Sequence, residues 1–332
     1  MAAIPTSARR RSFLIAAGAL GATALAPAAL AQAARWPSKP IRIVVAFPPG
    51  GLTDAYARHY GEFLGAKVGQ QVLVENKPGA GAIIGIDFVA KSPPDGYTLL
   101  MTTSGTVWQN RVLYSKLPYN LDKDLAPVVF FPSGPLVVGV PEKLGVSNFK
   151  EFIEYAKKNP TSMGTYAPGS YPHMVADQTN RAEGTKIQAV HYRGEAPMWV
   201  DVAGGQTQIA VGSYQAFNTV STRGVRAIGV TGSYRSPKLP QVPTLVEQGI
   251  DGRLVALEGG LPLLAPTGTP EAVLQTLSRA AVEWANTPGA SKLRESFAIP
   301  NKPRNLADTR KDWERDVPVW IKLAVDLGIK LD

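Results

Sequence analysis

Few side chains in this sequence are spaced for making or breaking bonds. The histidines are His59, His173 and His191. No two of them have metal-ligand spacing, and no His-Glu-x-x-His occurs. His173 and Asp177 form an i, i+4 pair on an expected helix, an arrangement common by chance. His59 reads as a surface or packing residue in a helix. There is no cysteine, which excludes disulfides, thiolate nucleophiles, zinc–thiolate sites and a lipid-bearing cysteine at a mature N-terminus. No Gly-x-Ser-x-Gly nucleophile turn is present. The acids mostly sit beside bases, as in "LDKD" and "KDWERD", where a solvated face is the default. No catalytic residue, metal or cofactor is therefore expected.

Glycine-rich turns offer binding chemistry instead. "VVAFPPGGLTDAYARHYGEFL" (44–64) reads as a strand, a tight turn and a helix start. Such a turn presents unpaired N–H groups and the positive end of a helix dipole, which favour an anion. Gly50 and Gly51 permit close backbone approach, and Thr53 can offer a hydroxyl. The plainer reading is an ordinary turn with Asp54 as N-cap. "ENKPGAGAIIG" (75–85) is a second such turn. It lacks Gly-Lys-Ser/Thr, and Gly79, Gly81 and Gly85 are spaced two and four apart, unlike a dinucleotide turn. "TTSGT" (102–106) follows a third strand and supplies hydroxyls, or is a polar loop. Trp108 just after it is a candidate pocket wall, whereas Trp199, Trp284, Trp313 and Trp320 lie on helical stripes and read as packing.

The elements that would position these turns alternate between strand and helix. Strands are expected at 41–47, 71–76, 97–103, 125–131, 136–140, 163–166, 187–191, 207–211 and 225–230. Helices are expected at 53–67, 81–91, 147–159 with Ser147 as N-cap, 172–182, 195–203, 270–286, 288–296 and 307–327. Repeated strand–helix units argue for parallel, doubly wound sheets. Two series separated near 132–136 give two α/β lobes. "LVALEGGLPLLAP" (254–266) reads as a strand returning to the first lobe, so two strands join the lobes. In open α/β sheets, ligands bind beyond the C-terminal strand ends.

The chain has 332 residues, 45% of them apolar, enough for about two packed domains. Its start carries Arg9, Arg10 and Arg11, an apolar run from Phe13 to Leu30, and Ala-x-Ala sites at Ala29–Ala31 and Ala31–Ala33. This is an export signal rather than a membrane anchor. "RRSFLI" resembles a twin-arginine signal, and both that and the general secretory route stay open. Removing residues 1–33 lowers the net charge from +9 to about +6. The remaining bases are interleaved with acids and form no block, which speaks against nucleic acid.

The ordered set of motifs resembles the periplasmic substrate-binding proteins of tripartite tricarboxylate transporters, the Bug/TctC-type receptors. "WPSKPIRIVVAFPPGGLTD", "VLVENKPGAGAIIGIDFVAKSPPDGYTLLMTTSGT", "LPYNLDKDLAPV", "GGQTQIAVGS", "RAIGVTGSYRSPKLPQVPTLVEQG" and "LLAPTGTPEAVLQTL" carry the resemblance across nearly the whole mature chain. It implies a two-lobed periplasmic-binding-protein (Venus flytrap) fold with a small ligand, often a carboxylate, in the cleft. On this reading lobe 1 is 34–134 with 257–332, and lobe 2 is 135–256. The first-lobe site would use Phe47, Pro49, Gly50, Gly51, Thr53 and Asp54, with Thr103, Ser104 and Thr106. The second lobe departs more: "YAPGSYPHM" (166–174) is about three residues shorter than the family's turn, and Ala210 stands where an Asp is usual. That loss argues against an α-amino acid. Ser170, Tyr171, His173, Arg193, Ser213, Tyr214 and Gln215 are the variable-half candidates.

The function implied is a monomeric periplasmic receptor that presents its ligand to integral membrane transporter subunits. A periplasmic enzyme using Asp54 or His173 as acid–base is the competing reading, but the sequence offers no linked pair. A ligand sensor for a signalling partner would use the same pocket.

Overall fold

β1 (Ile41–Val45) is an almost wholly apolar run because it is the inner strand of a sheet covered on both faces. The computed structural model describes Met1 and residues 36–332 except 251, 329 and 332. The expected leader, Met1 aside, lies outside the described residues.

From β1 the chain runs through α1 (Leu52–Val68), β2 (Val72–Asn76), α2 (Ile83–Ala90), β3 (Thr98–Met101), α3 (Ser104–Leu113), α4 (Leu121–Asp124) and β4 (Leu125–Pro132). It then crosses to β5 (Val137–Pro141), α5 (Phe149–Lys158), β6 (Ser162–Thr165), α6 (Tyr171–Glu183), β7 (Gln188–His191), α7 (Glu195–Gly204), β8 (Ile209–Gly212), α8 (Tyr214–Asn218) and β9 (Val225–Val230). After α9 (Arg253–Ala256) it returns as β10 (Gly260–Pro266) and ends in α10 (Glu271–Trp284), α11 (Pro288–Ser296) and α12 (Leu306–Leu327).

Two five-stranded sheets result, ordered β2-β1-β3-β10-β4 and β7-β6-β8-β5-β9. They are mixed rather than purely parallel, which corrects the sequence expectation. β10 runs antiparallel to β3 and β4, and β5 runs antiparallel to β8 and β9. The cause is topological. Each odd strand enters its sheet from the other lobe, not through a βαβ crossover.

The expected pair of crossings is present, at 133–136 and 257–259. They are tied side by side. Ser133 N–H donates to the Gly259 carbonyl at 3.1 Å; at the end of the first crossing, Leu136 N–H donates at 3.0 Å to Oγ1 of Thr231, just past β9. The returning strand starts at Gly260, later than expected, because residues 253–256 close a helical turn.

Three other local expectations are corrected. Residues 104–113 form a helix where none was expected, so "TTSGT" (102–106) runs into a helix start rather than a polar loop. Trp108 there is buried in a ring cluster with Phe130, Trp313 and Trp320 rather than forming a pocket wall. The N-cap of α5 is Asn148, not Ser147. Asn148 Oδ1 accepts from Glu151 N–H at 2.9 Å, while the Glu151 carboxylate accepts from Ser147 N–H at 2.7 Å. Two polar groups thus satisfy each other across one helix start. The apolar stripe of α5 (Phe149, Phe152, Ile153, Ala156) is buried as its spacing requires. His59 is a packing residue: its Nδ1 accepts from the Trp284 indole N–H at 2.9 Å.

Candidate functional site

A cavity of about 450 Å³ lies where the C-terminal strand ends of the two sheets face each other. Its first-lobe wall is the β1–α1 turn and the start of α3. Its second-lobe wall is made by the β7–α7 and β8–α8 turns, and both crossing segments line it as well.

The β1–α1 turn is built to leave donors open. Gly50 has φ +92°, a left-handed conformation that a side chain resists. Gly51 caps α1 with no side chain, and a Cβ added there meets no atom within 4 Å. The N–H groups of Gly51, Leu52 and Thr53 have no acceptor among the described residues. Asp54 points under the turn. Its carboxylate accepts from Gly50 N–H at 3.0 Å, from Asn76 Nδ2 at 3.0 Å and from Arg58 Nε at 3.0 Å. Burial alone would raise the Asp54 pKa. The Arg58, Gly50 and Asn76 hydrogen bonds outweigh it and hold the carboxyl below its ordinary value. Asp54 is therefore an ionised strut for the glycine turn.

At α3, Ser104 Oγ accepts from Gly260 N–H at 3.1 Å, pinning the helix start to the returning strand. Thr103 and Thr106 share a hydroxyl hydrogen bond at 2.8 Å. Trp320 of α12 lines the cavity and packs edge-on against Tyr171 at 6.3 Å.

On the second-lobe wall, Glu195 is the first residue of α7. Its Oε2 accepts from Ser213 N–H at 3.1 Å and from Ser213 Oγ at 2.5 Å. Burial pushes the Glu195 pKa up, and the two Ser213 bonds counter it only in part. Tyr166 stands near enough for the Glu195 charge to reinforce the upward shift that burial gives its hydroxyl. Arg193 is exposed, and Glu258 accepts from Ser233 Oγ at 2.6 Å. Tyr171 donates its hydroxyl to the Leu254 carbonyl at 2.7 Å.

Of the residues singled out in the sequence, the cavity brings together Phe47, Pro49, Gly50, Gly51, Thr53, Thr103, Ser104, Thr106, Tyr171, Arg193, Ser213 and Gln215. Asp54, Ser170, His173 and Tyr214 are not on its lining. Asp54 faces the turn's underside. Ser170 is buried and donates to the Ala167 carbonyl at 2.6 Å. His173 Nδ1 accepts from Gly169 N–H at 2.9 Å, and its ring meets His191 edge-on at 4.9 Å. Tyr214 packs half-buried against the second-lobe core, and its hydroxyl donates to Asn218 Oδ1 at 3.3 Å. Ala210 is fully buried within β8 and does not reach the cavity. Glu195 and Glu258 put acids on the wall, so the Ala210 position does not exclude an amino-bearing ligand.

Glu195, Thr231, Glu258 and Trp320 were not singled out. Glu195 follows Arg193-Gly194 at a strand-to-helix turn, the logic that marked Gly50–Asp54, and could have been found that way. Trp320 gave no signal beyond its helical stripe. Among the described residues, no cluster of three or more His, Asp or Glu could hold a metal, and no helix is long and apolar enough to cross a membrane.

Two α/β lobes with turns from both walling one cavity make a small-molecule site. The comparisons with known proteins agree. The profile of the tripartite tricarboxylate transporter family receptor matches residues 56–311, and the chain belongs to that family. It is 34% identical over 299 residues to a protein of Pseudomonas sp. (strain P51) named for the tcbD-tcbE intergenic region, covering 88% of this chain and 87% of that one. It is 32% identical over 300 residues to the protein BugT of Bordetella pertussis, covering 86% and 90%. The structure of R. palustris Rpa4515 with adipate superposes with a TM-score of 0.80 at 30% identity, covering 89% of this chain and all of that one. The protein is thus a solute-binding receptor and not an enzyme.

Proposed function

We propose that this receptor works in the periplasm, captures a small carboxylate between its lobes and presents it to the membrane subunits of a tripartite tricarboxylate-type transporter. The observation that carries the reading is the β1–α1 turn, with three open N–H groups facing a cavity walled by the other lobe. A carboxylate seated there would meet charge-assisted hydrogen bonds and the positive end of the 17-residue helix α1. The adipate held by the R. palustris protein is the same chemistry. Lobe 1 would be 34–134 with 257–332, and lobe 2 would be 135–256, closing on each other as ligand shifts the balance toward the closed form. The cavity is complete within one chain, so a monomer suffices.

Native mass spectrometry of the purified protein, followed by thermal melts with a panel of carboxylates, tests this. A true ligand at a hundredfold excess over Kd stabilises by about 2.7 kcal/mol. Failure of every carboxylate to raise the melting temperature would overturn the reading. Turnover of a bound compound would overturn the receptor role.

A further inference from the structure

The anion-holding turn of the first lobe has a counterpart in the second, the β7–α7 turn, but there the place at the helix start is already taken. Glu195 sits at the first position of α7, where the helix dipole favours its ionised form against the burial that pushes its pKa up. Both of its hydrogen bonds, from Ser213 N–H and Ser213 Oγ, fall on Oε2. Oε1 has no donor among the described residues. A carboxylate oxygen on a cavity wall without a donor is a standing acceptor for whatever fills the cavity. Glu258 and, among the described residues, the single cation Arg193 also line the cavity; both are exposed to solvent, where their charges are screened, which leaves Glu195 as the half-buried charge on the wall.

Resting on the carboxylate reading of the first lobe, we propose that the far end of the ligand is a hydrogen-bond donor, foremost an ammonium group, and that Glu195 selects it. A ligand with a carboxylate at each end would set its second charge beside Glu195, so one of the two would have to take a proton, as burial already urges on Glu195, whereas an ammonium would hold Glu195 ionised and pair with it. An ammonium or hydroxyl would instead complete the acceptor that Ser213 leaves open.

The test is calorimetric titration of the full-length mature protein with two matched sets: succinate, γ-aminobutyrate and γ-hydroxybutyrate, and adipate, ε-aminocaproate and ε-hydroxycaproate. At least one set is expected to show the amino acid binding on the order of tenfold or more tighter than its dicarboxylate, with the hydroxy acid between. Glu195→Gln keeps an oxygen for Ser213 and removes the charge. It is expected to narrow that gap to within about threefold, mainly by weakening the amino acid. If in neither set the amino acid outbinds its dicarboxylate in the unaltered protein, the inference is overturned, and so it is if the gap survives Glu195→Gln. In both cases the carboxylate reading of the first lobe stands. If no member of either set binds, both readings fall together. The unaltered protein alone decides between these outcomes if the variant does not fold.

Discussion

Replacing Gly51 by valine separates binding from folding. Gly51 has φ −88° and ψ 177°, extended backbone that a β-branched residue accepts readily, and its Cβ would meet nothing within 4 Å. Valine is a poorer N-cap than glycine, at about 1 kcal/mol or less, and loss of glycine's freedom in the unfolded chain returns about 0.4–1 kcal/mol. The two nearly cancel, so the melting temperature of the ligand-free variant should stay within about 3 °C of the unaltered protein. Binding should not survive. The isopropyl group would stand over the open N–H groups of the turn. Losing two charge-assisted hydrogen bonds removes about 3–6 kcal/mol, a fall in affinity on the order of a hundredfold to ten-thousandfold. Calorimetric titration with the ligand found by native mass spectrometry reads the loss, and circular dichroism with thermal melts reads the fold. Gly50→Val is the contrast. At φ +92° it costs about 1–2 kcal/mol of backbone strain, so it should lower the ligand-free melting temperature as Gly51→Val does not. Gly51→Val binding within threefold of the unaltered protein would refute the assignment of the turn.

Further outcomes follow from the contacts described. Asp54 holds its carboxyl below the ordinary value of 3.8, so its stabilisation is present above that pH and lost as pH falls through the lower folded value. Urea melts of Asp54→Asn between about pH 6 and pH 3 should show a flatter acid limb than the unaltered protein. Ser104→Ala strands the Gly260 N–H and should cost about 1–3 kcal/mol in the same melts, with no volume lost from the cavity. Burial lowers the pKa of His173, with His191 adding to it, and burial lowers that of His191. The stability they supply is present above the ordinary value of 6.5 and lost as pH drops through the lowered folded values. The drop in melting temperature between about pH 7 and pH 5 should therefore shrink when both are changed to glutamine.

How much of this could be read from the sequence depends on whether a signal is local. The apolar run of β1 and the stripe of α5 announced themselves, because burial on one face fixes a short period. The start of α3 did not. "SGTVWQN" is small and polar, and its helix is held by Trp108 packing on residues more than twenty positions away. Strand direction in β5 and β10 was equally hidden, since an apolar run reads the same in either sense. The glycine turns of the site were legible from Gly50 and Gly51. Which residues face the cavity was legible only in part: Asp54 and Thr53 are neighbours in sequence, yet one props the turn from behind while the other lines the opening. Trp320 arrives from the last helix and could be placed only by the fold.

The two crossings, bonded to each other through Ser133 and Gly259, also line the cavity. Through that bond a displacement of either segment pulls on the other. A solute pressing on one would therefore load both connections between two bodies many times its size.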